Sequence, residues 1–184
     1  EKAGQITHRE TAVGLVLAVV HGQHDLGVLG REPYERRHPH PEQRARPAEF
    51  AAAAAFVARL PDCPHLVVPG NHDLYMPDTL EDARFDQLFG DLMTSDLPDL
   101  AGADGWPRVR FFGEHLAIVT FNSARPNPSI RFSSGRIPDA QLEALSATLS
   151  HPRLAGRFLL LATHYAPRLA NGSPDSLRHG LINA

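Results

Sequence analysis

A single cysteine and a single lysine are all that the 184 residues hold of those two types. With Cys63 alone, no internal disulfide and no cysteine-based zinc site can form within the chain. Lys2 is the one lysine among 18 Lys and Arg residues, a bias that suits a GC-rich coding sequence. The net charge of -3 leaves no global basic field of the kind that nucleic-acid binding needs. No apolar stretch reaches the length of a membrane span. The apolar run at 12–20 is short, and Arg9-Glu10 before it is not a signal-peptide flank. These absences predict a soluble, cytoplasmic protein with no membrane partner. The length suits one domain, 1–184, with a core of its own. The start at Glu1 without Met and the stop at Ala184 predict a cut through a longer protein, with the C-terminal part of the domain missing.

What is present is concentrated at Val67-Val68-Pro69-Gly70-Asn71-His72-Asp73. An apolar run ends in a Pro-Gly turn, and three polar side chains follow without a spacer. Asn offers a neutral oxygen ligand, His a ligand or a general acid, and Asp a partner that orients a His. A strand that ends this way presents such groups at the carboxyl edge of a sheet, where open α/β folds place their sites. The bland alternative is an ordinary turn, since Gly and Asn favour such conformations.

The rest of the chain reads as a mixed α/β domain. Residues 12–20 form a continuous β-branched run, a buried strand or a helix segment. Residues 31–46 are dense in Arg, Pro and His and read as an atypical loop. Pro47 opens a helix whose Phe50, Ala54, Val57 and Leu60 recur at helical spacing, and Pro61 stops it. Residues 65–68 are a short buried strand. Asp78 and Glu81 form a capping-box-like pair for a helix to Phe89, closed by Gly90. Residues 108–112 and 116–121 are strands, and Gly113-Glu114 between them suits a tight hairpin turn. Pro138 begins a helix with Leu142, Leu145 and Leu149 on one face. Residues 158–162 are another buried strand. Asn122 reads as a strand end in preference to a substrate contact.

Gly70-Asn71-His72-Asp73 resembles the GNH[D/E] signature of the calcineurin-like metallophosphoesterases. Residues 158–167, ending Thr163-His164-Tyr165-Ala166-Pro167, are similar to the segment in which a buried strand of that family delivers a metal-binding His. Phe121-Asn122-Ser123 and residues 134–142 resemble its middle region. The likeness covers roughly residues 43–184 and is nearest the bacterial branch with cyclic-nucleotide phosphodiesterase-like members. It implies a four-layer αββα sandwich, here truncated. It implies two divalent metal ions (Mn, Fe or Zn) and attack of a metal-bound hydroxide on a small phosphodiester or phosphomonoester. By the same resemblance Asn71 and His164 would bind one metal, His72 would stand at the leaving group, and Asp73 would hold His72 in its tautomer. His164 as a core histidine satisfied by backbone remains the plain alternative.

Three blocks of that family are not in this chain. Neither D-x-H nor G-D-x-x-D occurs where expected, and no G-H-x-H follows. Where the second block is expected the chain reads Tyr34-Glu35-Arg36-Arg37-His38-Pro39-His40-Pro41-Glu42, and a Pro-rich run cannot form a central strand. One hypothesis is a reading-frame disturbance over residues 14–42, which translation of the gene in its alternate frames tests. A second is that His21, His24 and Asp25, after the first strand, substitute as ligands; His24 and Asp25 are the candidates. Without the bridging carboxylate, two dications would repel with little compensation. A non-catalytic fragment or degenerate homologue without a complete dinuclear site is therefore the alternative to the enzyme. A mononuclear module built from the early histidines is the third reading.

Overall fold

Leu66, Val67 and Val68 are each 1 % exposed, so the apolar run before the Pro-Gly turn is covered on both faces. That is the environment of a strand inside a parallel sheet. The computed structural model describes residues 47–60, 65–74, 80–127, 132–175 and 179–183, and the backbone of 16–20. Strand β2 (His65–Pro69) pairs in parallel with β1 (Val16–Val20), in register from Val16↔His65 to Val20↔Pro69. A parallel pair needs a long crossover, and this one contains helix α1 (Pro47–Val57). The expectations placed on residues 21–46, with His21, His24 and Asp25, and on Cys63 and Asp78 fall outside the described residues.

A second sheet has the order β3-β4-β5. β3 (Arg108–Phe112) runs antiparallel to β4 (Leu116–Thr120), and β4 runs parallel to β5 (Phe158–Ala162). The one-turn helix α2 (Asn71–Leu74) and helix α3 (Arg84–Phe89) follow β2, and α4 (Asp139–Leu149) lies in the crossover from β4 to β5. The fold is mixed α/β.

Three apolar clusters hold the elements together. Phe50 of α1 and Phe85 and Phe89 of α3 pack with Val67, Val68, Met93 and Trp106. The Arg84 guanidinium lies over the Phe50 ring at 5.7 Å, a further contact between α1 and α3. Val109, Ala117, Val119 and Phe121 form the second cluster, with Leu145 of α4 against it. Leu66 packs with Phe112, Ile118 and Ala162 in the third, which joins the two sheets. The carboxyl ends of β2, β4 and β5 are thereby brought together. Among the described residues no helix is long and apolar enough to cross a membrane.

Four local expectations change in the fold. The helix expected up to Phe89 is interrupted at Ala83, which is left-handed (φ 46, ψ 37), so α3 begins only at Arg84. Gly90 stays right-handed (φ -54) and leads into a 3-10 turn, Gly90–Leu92, so it does not act as a left-handed cap. The hairpin pairs Phe112 with Leu116, which makes a three-residue loop in which Gly113 takes φ 57. In α4 the buried residues are Gln141 and Thr148, while Leu142 and Leu149 are exposed. Gln141 goes inside because its amide is used there. Its Oε1 accepts from the Asn122 N–H at 3.2 Å, and its Nε2 donates to Asp104 Oδ2 at 2.7 Å.

The largest difference is at β5. An apolar run without a polar residue predicts burial, yet Phe158 is 71 % and Leu161 52 % exposed. Among the described residues β5 is an edge strand of its sheet. An exposed apolar edge strand is a template for pairing with other chains. Leu161→Lys is expected to reduce self-association in light scattering at high protein concentration. Its melting temperature should stay within about 2 °C of the original, since exposed positions carry little packing energy.

Candidate functional site

Gly70 follows β2, and α2 begins directly after it. The Asp73 N–H donates to the Gly70 carbonyl at 3.2 Å, and the Gly70 N–H donates to Asp73 Oδ2 at 2.8 Å. An acidic side chain at the third helical position reaching back to the N-cap amide is one half of a capping box. It fixes a short helix that has almost no ladder of its own. The Asp73 carboxylate is thus occupied with the turn, not with the His72 ring. Its second oxygen, Oδ1, is buried and has no hydrogen-bond partner. Burial pushes the Asp73 carboxyl up to about 7, against the smaller opposite pull of the Gly70 N–H.

The turn leaves Asn71 buried and His72 half-buried. Asn71 Oδ1 lies 2.9 Å from His164 Nε2, across a sequence separation of 93 residues. The two residues named from the sequence as partners on one cation therefore meet. His164 follows β5, and Asn71 follows β2, so each stands just past the carboxyl end of its strand. Without a cation between them, the contact is a hydrogen bond. An amide oxygen only accepts, so Nε2 carries the hydrogen. With a cation, the same spacing fits two adjacent ligands, because donor atoms each about 2.1 Å from a metal and at right angles are about 3.0 Å apart. The donor set is one oxygen and one nitrogen, which suits Mn, Fe and Zn alike.

Among the described residues no group of three or more His, Cys, Asp or Glu side chains is placed to hold a metal. Asn71 and His164 would supply two positions of such a site. His24 and Asp25 fall outside the described residues.

Residues without a role in the sequence reading complete the surroundings. Asn71 Nδ2 donates to Ser133 Oγ at 2.9 Å, and Ser133 Oγ lies 3.3 Å from the Tyr165 hydroxyl. The Tyr165 ring meets the His164 ring edge-on at 4.9 Å. Below them Ser123, fully buried, accepts hydrogen bonds through Oγ from Thr163 Oγ1 at 2.6 Å and from the Tyr165 N–H at 3.2 Å. Asn122 Oδ1 accepts from the Ala124 N–H at 3.0 Å, which makes it a turn former. No local pattern marks Ser133. The one available signal is Gly135 between two polar residues and the next helix, which announces a close backbone approach.

A groove of about 460 Å³ lies elsewhere, lined by Val57, Leu60, His65, Leu88 and Leu92. It opens at the amino end of β2, away from Asn71 and His164, and its lining mixes polar and apolar surface. The convergence at the carboxyl ends is the better site candidate, since its side chains from different elements meet within hydrogen-bond distance.

No family model matches the chain, and no curated protein matches it.

Proposed function

We propose that this chain is a phosphoesterase domain of the calcineurin-like metallophosphoesterase type, acting on a small phosphodiester or phosphomonoester. The observation that carries the reading is the 2.9 Å approach of Asn71 Oδ1 to His164 Nε2 at the carboxyl ends of two strands in different sheets. The order of the apolar clusters supports an αββα arrangement. One lies between α1, α3 and β2, one between the sheets, and one between the second sheet and α4.

In this reading Asn71 and His164 hold one divalent cation. Bound divalent metals supply a nucleophile from water at neutral pH and neutralise phosphoryl oxygens. His72, on the same turn as Asn71, faces the leaving group and protonates the departing oxygen. Asp73 keeps the turn in place by binding the Gly70 amide.

A second reading, a scaffold that keeps the fold without the metals, draws on the same contact. As a direct hydrogen bond it satisfies the Asn71 oxygen and the His164 ring nitrogen without any cation. Manganese titration followed by turnover of a chromogenic phosphodiester separates the two. Wild-type protein is expected to bind manganese and turn over the ester. Asn71→Ala, which removes a ligand itself, is expected to lower both by at least about 100-fold, the upper end of what loss of a group that only supports a ligand costs. Protein that stays metal-free and inactive in excess manganese decides for the scaffold.

A further inference from the structure

Phe111, in β3, carries two guanidinium groups. That of Arg153 lies 4.4 Å from the ring centroid and that of Arg157 lies 4.6 Å from it. Both arginines belong to the segment that leads into β5, and a 3-10 turn, Pro152–Leu154, sets the first of them. Each is also fastened to backbone. Arg153 Nη1 donates to the Asp96 carbonyl at 3.2 Å. Arg157 Nη1 donates to the Gly113 carbonyl at 2.6 Å, and its Nε donates to the Arg153 carbonyl at 2.8 Å. All of these acceptors are neutral.

The two positive charges are therefore not balanced where they stand. Two cations on one ring are closer than the Debye length of about 10 Å at 0.1 M salt, so each feels the other. The Asp96 carboxylate is given to other groups. Its Oδ2 lies 3.4 Å from Arg110 Nε and accepts from the Phe111 N–H at 2.7 Å. Among the described residues Glu114, in the hairpin, forms no ion pair with either arginine. A guanidinium has five N–H donors. Among the described residues Nε and Nη2 of Arg153 and Nη2 of Arg157 have no acceptor. Arg153 is exposed and Arg157 half-buried, so a solute can reach the pair.

We propose that Arg153 and Arg157 form a binding site for a small dianionic oxyanion, of which the phosphate group is the best match. Charge sets the class, since an esterified phosphate carries about −1.5 to −2 at pH 7 against the two fixed cations. Shape agrees with charge, because the planar guanidinium fork fits phosphate oxygens two at a time. The ring and the carbonyls already hold both side chains, so little rotamer freedom is lost on binding. The pair stands at the amino end of β5 and His164 follows its carboxyl end. The five residues between span roughly 16 Å. This is a second site, and nothing in it depends on a metal at Asn71 and His164.

Titration of inorganic phosphate into chelator-treated protein tests the site, followed by calorimetry and by the ¹⁵N–¹H signal of Arg153 Nε. Wild type should bind phosphate, with that signal moving in step with the heat. Arg153→Gln and Arg157→Gln should each raise the dissociation constant about 10-fold, the lower end of what a hydrogen bond to a charged group contributes. Added salt should weaken binding by wild type more than by either variant. Methylphosphonate stands for a phosphate group carried by a small molecule. If it binds as orthophosphate does, the site reads the group, and if orthophosphate alone binds, the site takes the free ion. Thermal melts establish that the variants are folded, and the wild-type signal needs no variant. An Arg153 Nε–H signal that phosphate leaves unmoved overturns the proposal. So do variants that melt lower yet bind phosphate as wild type does, since the guanidinium groups then only cover Phe111.

Discussion

Gly135→Ala is expected to destabilise the fold by about 3 kcal/mol, the upper end of what overpacking costs, and to displace Tyr165 from the candidate site. A Cβ at position 135 would lie 2.1 Å from Tyr165 Cδ2, 2.6 Å from Tyr165 Cγ and 2.7 Å from the Ser123 carbonyl oxygen. The last of these is backbone, and the first two belong to a ring with little freedom. Tyr165 is buried and tied through its N–H to Ser123 Oγ. Gly135 cannot retreat without losing its backbone bonds to Gly180 and Ile182. The cost is steric and does not come from a left-handed backbone. Urea denaturation should show a lower midpoint with an unchanged slope. The double variant Gly135→Ala, Tyr165→Ala should lose less than the two single losses added together, because the ring clash can occur only once. Simple additivity of the two losses would remove the proposed contact.

The second large effect is a pH dependence carried by Asp73. Burial raises its carboxyl from 3.8 to about 7, so the folded state holds the proton more tightly than the unfolded chain. The associated stability is fully present below the unfolded pKa of 3.8. It is lost as pH rises and is gone above about 7. A shift of about three units corresponds to roughly 4 kcal/mol across that window. Asp73→Asn removes this dependence and keeps an oxygen for the Gly70 N–H. In chelator-treated protein the variant should match wild type near pH 4 and exceed it by several kcal/mol, on the order of the 4 above, at pH 8. Other titrating groups are common to both proteins, so the difference between the two denaturation curves isolates Asp73. Parallel curves from pH 4 to pH 8 would show that the carboxylate is solvated in the folded state. The buried Oδ1 without a hydrogen-bond partner is the structural reason to expect otherwise.

The strands at 65–69, 108–112, 116–120 and 158–162 and helix α1 were legible because each is written in neighbouring residues: apolar runs, turn glycines, and a proline at the first helical position. The turn at Gly70 was legible in the same way, but not the reach of Asp73 back to the Gly70 amide, since the resemblance gave Asp73 to His72. The misreadings have one cause. Of the leucines of α4 only Leu145 packs on the core while Leu142 and Leu149 are exposed, because Gln141 bonds the loop after β4 and is turned inward in their place. In β5 the composition announces a covered strand, while among the described residues it stands at a sheet edge and is exposed.

The sequence by itself determined the local conformations and the kinds of chemistry available at Asn71, His72, Asp73 and His164. Only the tertiary structure decided that Asn71 meets His164, that the Asn71 amide also meets Ser133, that Asp73 is turned to Gly70, and that Gly135 has no room for a side chain. The physical reason is range. Backbone preference and hydrophobic period act over a few residues. A contact spanning 93 positions exists only after two sheets have packed through Leu66, Ile118 and Ala162.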